Sequence, residues 1–483
     1  MEDVTVQEAS RARRVMAAVA FASFICSLDT YIVNISLPEL ARTFNADTGE
    51  VSLVVIAYLL IMTTTIPLSG KLSDTHGSIK IFIAGYAVFT AGLLLCGISG
   101  SMEMLIFSRC VEGIGASILI TIPAALVLRH LSAGFRGMAF RLMATAAAVG
   151  LTVGAPIGGI ISACLGWQWI FLIQIPPCLL ALWGVVRFFP RGQSELTPPG
   201  SFDIAGFTMS FLGLATLLYI VNIGGEAGWR SPFVVILVML FIMLFLGFVY
   251  WERRHSEPIL VPDLYTNRNF AMASLAGLLS FMAVAGNAFL LPFFLVYCKG
   301  LRSDKAGFVI MLFSAAMMAA APLGVKVFSG TSRRVVCSAA MVSSVAAWLY
   351  FSGSIYLEGL MQVVIFLLWA GTSIGLFISP NSLLFINAVP SERMGVAYVV
   401  SRSLICLGSL LGVSLFEAIF SQTFSGMVKS GGTHAALLQI PVDLFMSGFF
   451  VSYLFGAFLL LCALVCSILL KEEEQDAGSE PPI

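Results

Sequence analysis

Fourteen apolar runs, each close to the length that crosses a bilayer, follow one another along this chain with little between them. A membrane-spanning helix needs ~20 mostly apolar residues. The runs lie at roughly 15–37, 51–68, 81–98, 104–128, 142–165, 170–189, 204–223, 233–250, 270–297, 306–327, 335–356, 361–389, 396–420 and 444–470. In hydrocarbon only helices satisfy their own backbone polar groups, and strand-length segments are absent, so the fold class is all-α and integral to the membrane. Charged residues are 11% of the 483, where a soluble domain carries about 25%. A water-facing surface cannot be built from so few.

The charges that remain are distributed with a bias. With the N-terminus inside, 18 Lys and Arg fall in inside segments and six outside, while Arg109 and Arg402 lie within spans. Positive residues favour the cytoplasmic side, so both termini are expected there, in the cell membrane. Arg11, Arg13 and Arg14 precede the first run as in a signal peptide. That run is too long for a signal h-region and has no evident small-residue cleavage site, so it reads as a retained first helix. The tail from Lys471 is short, charged and expected to be disordered.

Several function classes are disfavoured. The net charge is zero and basic residues cluster only in short loops, which argues against nucleic acid. The ten cysteines sit in or at the ends of apolar runs without CxxC spacing and read as small packing residues. The four histidines, His76, His130, His255 and His434, fall outside the runs, and no HExxH or GxSxG is present. Neither an enzyme nor a metal or other cofactor is expected.

An internal repeat organises the spans. Gly137-x-Ala139-Phe140 before helix 5 matches Gly395-x-Ala397-Tyr398 before helix 13, an offset of 258. The same offset pairs Gly150 with Gly408, Gly154 with Gly412, Gly113 with Gly371, and Asp29 with Asn287. Helices 1, 4 and 5 thus map onto 9, 12 and 13. The expected division is an N-terminal segment (1–14), a six-helix bundle (15–190), a linker carrying two inserted helices (191–268), a second six-helix bundle (269–470) and a tail (471–483). Parallel repeats of this kind favour a pathway between two rocking bundles.

Four segments carry chemistry. Leu28-Asp-Thr-Tyr-Ile-Val-Asn-Ile-Ser-Leu-Pro38 places Asp29 within a span, where a carboxylate costs ~2.5–3.5 kcal/mol and usually has a role. Asn34 and Pro38 read as packing and helix-end residues. Gly70-Lys-Leu-Ser-Asp-Thr-His-Gly-Ser-Ile-Lys80 lies between helices 2 and 3, read as a loop. Arg109-Cys-Val-Glu-Gly-Ile-Gly115 puts Arg109 and Glu112 one helical turn apart. That spacing allows either a local ion pair or a proton-linked site whose carboxylate is tuned by the arginine. Gly150-Leu-Thr-Val-Gly-Ala-Pro-Ile-Gly-Gly159 has the small-residue spacing that lets helices approach closely.

Together these segments resemble the major facilitator superfamily, in its fourteen-helix drug:proton antiporter branch, over nearly the whole chain. The first is similar to LDxTIVNVALP. The second is similar to GxLaDrxGrkxxl in Gly70, Asp74, Gly77 and Lys80, with Thr75 and Ser78 where basic residues are usual. The third is similar to RxxxGxG, with Glu112 where glutamine is usual. The fourth is similar to GxxxGPxxGG in Gly150, Gly154, Gly158 and Gly159, with Pro156 displaced by one and Ala155 in its place. Gly166-Trp-Gln-Trp-Ile-Phe-Leu-Ile-Gln-Ile-Pro176, Asp203-Ile-Ala-Gly206 and Gly228-Trp229 are also similar to this branch.

The resemblance implies a major facilitator fold of two six-helix bundles plus two inserted helices. Asp29, Arg109 and Glu112 would handle protons or substrate, Asp74 would dock on a helix end and stabilise an outward-open state, and the helix 5 glycines would face the other bundle. Glu417 aligns with Gly159 and should lie near the bundle interface. Asn34, Asn287, Asn381 and Arg402 are further polar candidates for the cavity. The expected function is proton-driven export of amphipathic or cationic compounds, with small-molecule substrate, protons and lipid as partners and a monomer as the working state. A dedicated exporter of one lipid, siderophore or metabolite competes with it. A non-transporting sensor or scaffold is a third reading, against which the buried acids Asp29, Glu112 and Glu417 argue.

Overall fold

A computed structural model describes residues 2–189, 203–228, 230–254, 262–326, 331–390, 394–431 and 442–471. Fourteen helices are long and apolar enough to cross a membrane. In chain order they are α1 (Glu2–Asn34), α2 (Thr48–His76), α3 (Ser78–Gly97), α4 (Met102–His130), α5 (Ala133–Leu165), α6 (Trp169–Phe188, helical over Trp169–Leu172 and Ile175–Phe188), α7 (Ile204–Ala227), α8 (Pro232–Glu252), α9 (Arg268–Phe293), α10 (Ser303–Ala320), α11 (Arg333–Ser354), α12 (Met361–Asn387), α13 (Met394–Gly431) and α14 (Val442–Ile468). Among the described residues there is no strand. The even number of crossings puts the two described ends on one face, called here the terminal face.

Two boundaries differ from the sequence reading. Helix α1 begins at Glu2, so the stretch expected as a separate N-terminal segment is helical, and its apolar part starts at Ala12. Segment 70–80 is not a loop. Helix α2 continues through Asp74 to His76, and Gly77 alone separates it from α3, with φ +92°. A backbone in that region favours glycine because no Cβ is in the way. The tail after Lys471, residue 190 of the expected first bundle and the stretches 191–202 and 255–261 of the expected linker lie outside the described residues.

The helix pairings repeat. In the first half α1 packs on α4, α5 and α6, α2 on α4, and α3 on α4 and α6. In the second half α9 packs on α12, α13 and α14, α10 on α12, and α11 on α12 and α14. Each pairing is the other advanced by eight helices, which is the repeat seen in the glycines. The halves meet along two seams, α2 on α13 and α5 on α10. Helices α7 and α8 pack on each other, and α7 reaches both α2 and α13. The inserted pair therefore covers one seam.

Lipid is as apolar as a leucine side chain, so close van der Waals packing has to hold the helices together. Small residues provide it. A Cβ at Gly150 would lie 2.4 Å from the Phe24 carbonyl oxygen, at Gly154 2.9 Å from that of Leu28, and at Gly158 2.7 Å from that of Ile32. Three glycines thus sit under three carbonyls of α1, one turn apart. In the other half Gly408 sits under the Leu278 carbonyl and Gly412 under that of Met282.

This geometry corrects two expectations. Gly150, Gly154 and Gly158 face α1 of their own bundle, not the other bundle. The interface role falls to Gly159, whose Cβ would lie 2.3 Å from the Ser303 carbonyl oxygen, and to Ala155 and Pro156, against which Gly307 packs. The offset is also not uniform. It is 258 for Gly150 and Gly408, but Phe24 and Leu278, which those glycines touch, differ by 278 − 24 = 254. Helix α9 is thus shifted by four residues relative to α1, and Asn287 sits a turn away from the place that corresponds to Asp29.

Glycine contacts give a prediction of opposite signs. Gly412→Ala would put its methyl 2.2 Å from a backbone oxygen, and should destabilise the protein by about 1–3 kcal/mol. Gly184→Ala in α6 meets nothing within 4 Å, and should stabilise by roughly 0.5–1 kcal/mol through helix propensity. Thermal unfolding of the two purified variants in one detergent checks both signs.

Candidate functional site

Helix α4 is gripped on both sides. A Cβ at Gly113 would lie 2.8 Å from the Tyr58 carbonyl oxygen of α2, and one at Gly115 2.3 Å from the Phe89 nitrogen of α3. Gly92 of α3 returns the contact, since a Cβ there would fall 2.5 Å from Glu112 Cα. The arginine-to-glycine motif therefore sets where Arg109 and Glu112 point. Both point inward: Arg109 is 1% exposed, and Glu112 and Asp29 are 0% exposed.

The three side chains form one group. Arg109 Nη1 lies 2.8 Å from Glu112 Oε2 and 3.2 Å from Asp29 Oδ2. The local-pair reading and the Asp29 reading thus describe the same site, with one guanidinium nitrogen meeting two carboxylates. Arg109 Nε donates to the Val54 carbonyl at 3.3 Å. Its Cζ stands 4.0 Å from the ring centre of Tyr58 and 5.8 Å from that of Phe171. A flat cation between aromatic faces is held by their quadrupoles and by its fork geometry.

Polar neighbours finish the site, and sequence reasoning had not assigned them. Gln174 Nε2 donates to Asp29 Oδ1 at 3.3 Å and to the Ile170 carbonyl at 3.0 Å. Cys96 Sγ donates to Glu112 Oε2 at 3.3 Å. Gln174 closes the Gly166–Pro176 stretch, and its signal was a lone amide in an apolar run. Glu112 Oε1 is buried with no hydrogen-bond partner. With both acids ionised the group carries net charge −1, and one added proton makes it neutral. Burying uncompensated charge is costly, so those two charge states would make different demands on their surroundings.

Glu417 occupies a second position, away from this group. It is 3% exposed on α13 and accepts from Thr48 Oγ1 at 3.3 Å. Thr48 is the first residue of α2, whose N-cap Asp47 forms a capping box with Glu50. The carboxylate thus lies at a helix N-terminus of the other bundle, where the macrodipole favours negative charge. At the far end of the same seam, on the terminal face, Tyr398 Oη donates to the Ile120 carbonyl at 3.5 Å and its ring lies 6.2 Å from that of Phe140. On the opposite face Tyr297 Oη donates to the Pro38 carbonyl at 3.2 Å, beneath Arg42. The bundles touch on both sides of the midplane.

The remaining candidates are scattered. Asp74 pairs with Arg129 at the end of α4, both well exposed, and Arg129 Nη1 donates to Ser78 Oγ at 3.2 Å. Arg129 supplies the basic partner that Thr75 and Ser78 cannot. Gly70 approaches Val399 of α13, and Lys80 is exposed. Asn287 accepts from Tyr453 Oη at 2.9 Å inside an aromatic cluster with Trp348, Phe351 and Phe366. Asn381 Nδ2 donates to the Ala273 carbonyl at 3.1 Å. Asn34 is buried at the end of α1 with its Oδ1 unpartnered, and Arg402 stacks 5.1 Å from the Tyr398 ring. Among the described residues, none of the four Asn and Arg candidates hydrogen-bonds to or pairs with the Arg109 group. By the 258 offset, Arg109 and Glu112 correspond to Leu367 and Ala370, both fully buried, so the paired charges belong to one half only. Among the described residues no set of three His, Cys, Asp or Glu is placed to hold a metal.

Comparison with known proteins fits this architecture. The model of the Major Facilitator Superfamily matches residues 19–209. The methylenomycin A resistance protein of Bacillus subtilis is 31% identical over 337 residues, covering 69% of this chain and 70% of that protein. The riboflavin transporter RibZ of Clostridioides difficile is 28% identical over 415 residues, 85% of this chain and 89% of that one. A bacterial homologue of the human lysosomal transporter Spinster, inward-facing and unoccupied, superposes with a TM-score of 0.68 at 15% identity, over 95% of this chain and 98% of that chain. With fourteen spans, two matched bundles and these relatives, the chain belongs to the major facilitator superfamily and is a secondary transporter of small molecules, not an enzyme.

Proposed function

We propose that this transporter exports amphipathic or cationic compounds from the cytoplasm of the cell in exchange for protons, within the fourteen-helix drug:proton antiporter branch. The observation that carries the reading is the fully buried group of two carboxylates on one arginine. A proton entering it changes the net charge from −1 to zero. A cationic or polar substrate group and a proton then compete for one charge state, and competition for one state is enough to couple their movements. Gln174 and Cys96 hold the carboxylates in place, and Tyr58 and Phe171 hold the arginine. Glu417 serves as a second acid at the α2–α13 seam, on the side from which protons arrive. Asp74 and Arg129 help to close the cytoplasmic side.

A relative named for antibiotic resistance supports export of a toxic compound. A relative named for riboflavin supports the narrower reading, a carrier dedicated to one metabolite. Proteoliposomes with an imposed pH gradient separate the readings. Wild type should accumulate ethidium at least tenfold over a no-gradient control under the first reading. Riboflavin alone should move under the second. Asp29→Asn should abolish the gradient's effect while leaving substrate exchange at equal pH. Gradient-driven uptake that survives the substitution intact removes Asp29 from coupling.

Stability separates from transport at the same site. Arg109→Met leaves two carboxylates buried without their cation and should cost about 3–5 kcal/mol. The triple variant Arg109→Met, Asp29→Asn, Glu112→Gln removes all three charges and should recover most of that loss in thermal unfolding while remaining inactive in gradient-driven transport.

We place both termini in the cytoplasm. Cys164, exposed at the end of α5 on the face opposite the termini, should then react with an impermeant maleimide added to intact cells, and Cys164→Ser should lose most of that labelling. Labelling of Cys164 only after the cells are permeabilised reverses the orientation.

A further inference from the structure

The two acids on Arg109 are not held alike. Asp29 accepts at both oxygens. Its Oδ1 takes Gln174 Nε2 at 3.3 Å and Arg109 Nη1 at 3.5 Å, and its Oδ2 takes Arg109 Nη1 at 3.2 Å. Glu112 accepts at one oxygen only. Its Oε2 takes Arg109 Nη1 at 2.8 Å and Cys96 Sγ at 3.3 Å, while its Oε1 is buried and takes nothing.

That difference decides where an added proton fits. A carboxylate oxygen that binds a proton turns from acceptor into donor. On Asp29 the new O–H would stand against an N–H of Gln174 or Arg109. On Glu112 it can form at Oε1, where no donor stands, and Oε2 keeps both of its bonds. The O–H then needs an acceptor, since a buried donor left unmet is destabilising. The carboxyl groups of Glu112 and Asp29 lie within hydrogen-bond reach of each other, so the neutral acid can donate to the charged one. Oε1 is enclosed, and a proton needs no cavity. The titratable and charged groups around Glu112 are Arg109 on its own helix, Asp29 and Cys26 on α1, Tyr58 on α2, Cys96 on α3 and Cys178 on α6. Thiols and phenols carry no charge at neutral pH, which leaves two acids and one base.

We propose that Glu112 is the residue that carries the coupled proton, with Asp29 as the fixed anion beside it. The inference rests on the proton-coupled reading above and names its acceptor. The proton adds to Glu112 Oε1, the group passes from net charge −1 to zero, and the Arg109–Asp29 pair keeps both of its charges. Without Asp29, Arg109 neutralises Glu112 and no second charge remains to take up a proton. Asp29→Asn therefore uncouples transport although Asp29 never holds the proton. Hydrogen bonds between ionised partners are roughly twice as strong as neutral ones. Protonation thus loosens the hold of Glu112 on Arg109 and leaves the arginine bound chiefly to α1 instead of to its own helix.

The test is infrared difference spectroscopy between neutral and acidic pH, on the full-length protein in phosphatidylcholine liposomes. Wild type should show at acidic pH the C=O stretch of a buried neutral carboxyl, and Glu112→Gln should lack it. Heavy carbon in the glutamate carboxyls should move that band to lower frequency, and heavy carbon in the aspartate carboxyls should leave it in place. Cys96→Ala removes a donor from Oε2 and keeps both acids, so it should move the same band to higher frequency. This variant keeps the assignment testable if Glu112→Gln fails to fold. A band that moves with the aspartate label overturns the proposal and leaves proton coupling at Asp29. A glutamate band unmoved by Cys96→Ala belongs to another residue and overturns it as well. The absence of any carboxyl band, with gradient-driven ethidium uptake intact, overturns the proposal alone; absence of both band and uptake overturns the proton-coupled reading with it.

Discussion

Hydrocarbon gives an apolar helix no reason to leave it, and the rest of this structure depends on that fact. Cohesion must come from backbones close enough for dispersion to accumulate. The fold meets this with glycines placed under carbonyls at one-turn intervals, Gly150, Gly154 and Gly158 against α1, and Gly408 and Gly412 against α9. The same device fixes α4 between α2 and α3. The position of the charged group is thus a by-product of how the bundle coheres. Arg109 and Glu112 point inward because Gly113, Gly115 and Gly92 leave α4 no other seat.

Once the arginine is fixed, the acids around it follow. A guanidinium in a dry interior needs anionic and aromatic company, and it finds Asp29, Glu112, Tyr58 and Phe171 on helices already held within reach. The second half keeps the same helix pairings but puts Leu367 and Ala370 at the matching places and gathers aromatic rings around Asn287. One half carries the paired charges; the other sets an aromatic cluster around Asn287, with its buried acid Glu417 apart from it at the α2–α13 seam. Duplicated architecture has been filled with two different kinds of interior.

The span count, the two halves and the residues of the charged group could be read from the sequence, because each is a local property. An apolar run declares its own length, and Asp29 or Arg109 inside one declares its own cost. The joining of Asp29 to Arg109 could not be read, since it depends on α1 meeting α4 in space. Gln174 was visible only as a polar residue in an apolar run. Residues 70–80 looked like a loop because polar residues there resemble a connection, yet Gly77 alone makes the turn. The match of Asp29 with Asn287 failed because counting along the chain is blind to one helix sliding by a turn against its neighbour. Helix α8 is apolar on all sides, so nothing in it announced which seam it would cover.

The placement of α7 has a mechanical meaning. It touches α2 in one bundle and α13 in the other, as a strut laid across the two leaves of a hinge. A strut laid on both leaves has to slide, tilt or release wherever the leaves turn against each other. The opposite flank, α5 on α10, is drawn tight by Gly159 and Gly307, and none of the described helices packs across it as α7 does across the other. The molecule is therefore built with a glycine-tight seam on one flank and a braced seam on the other.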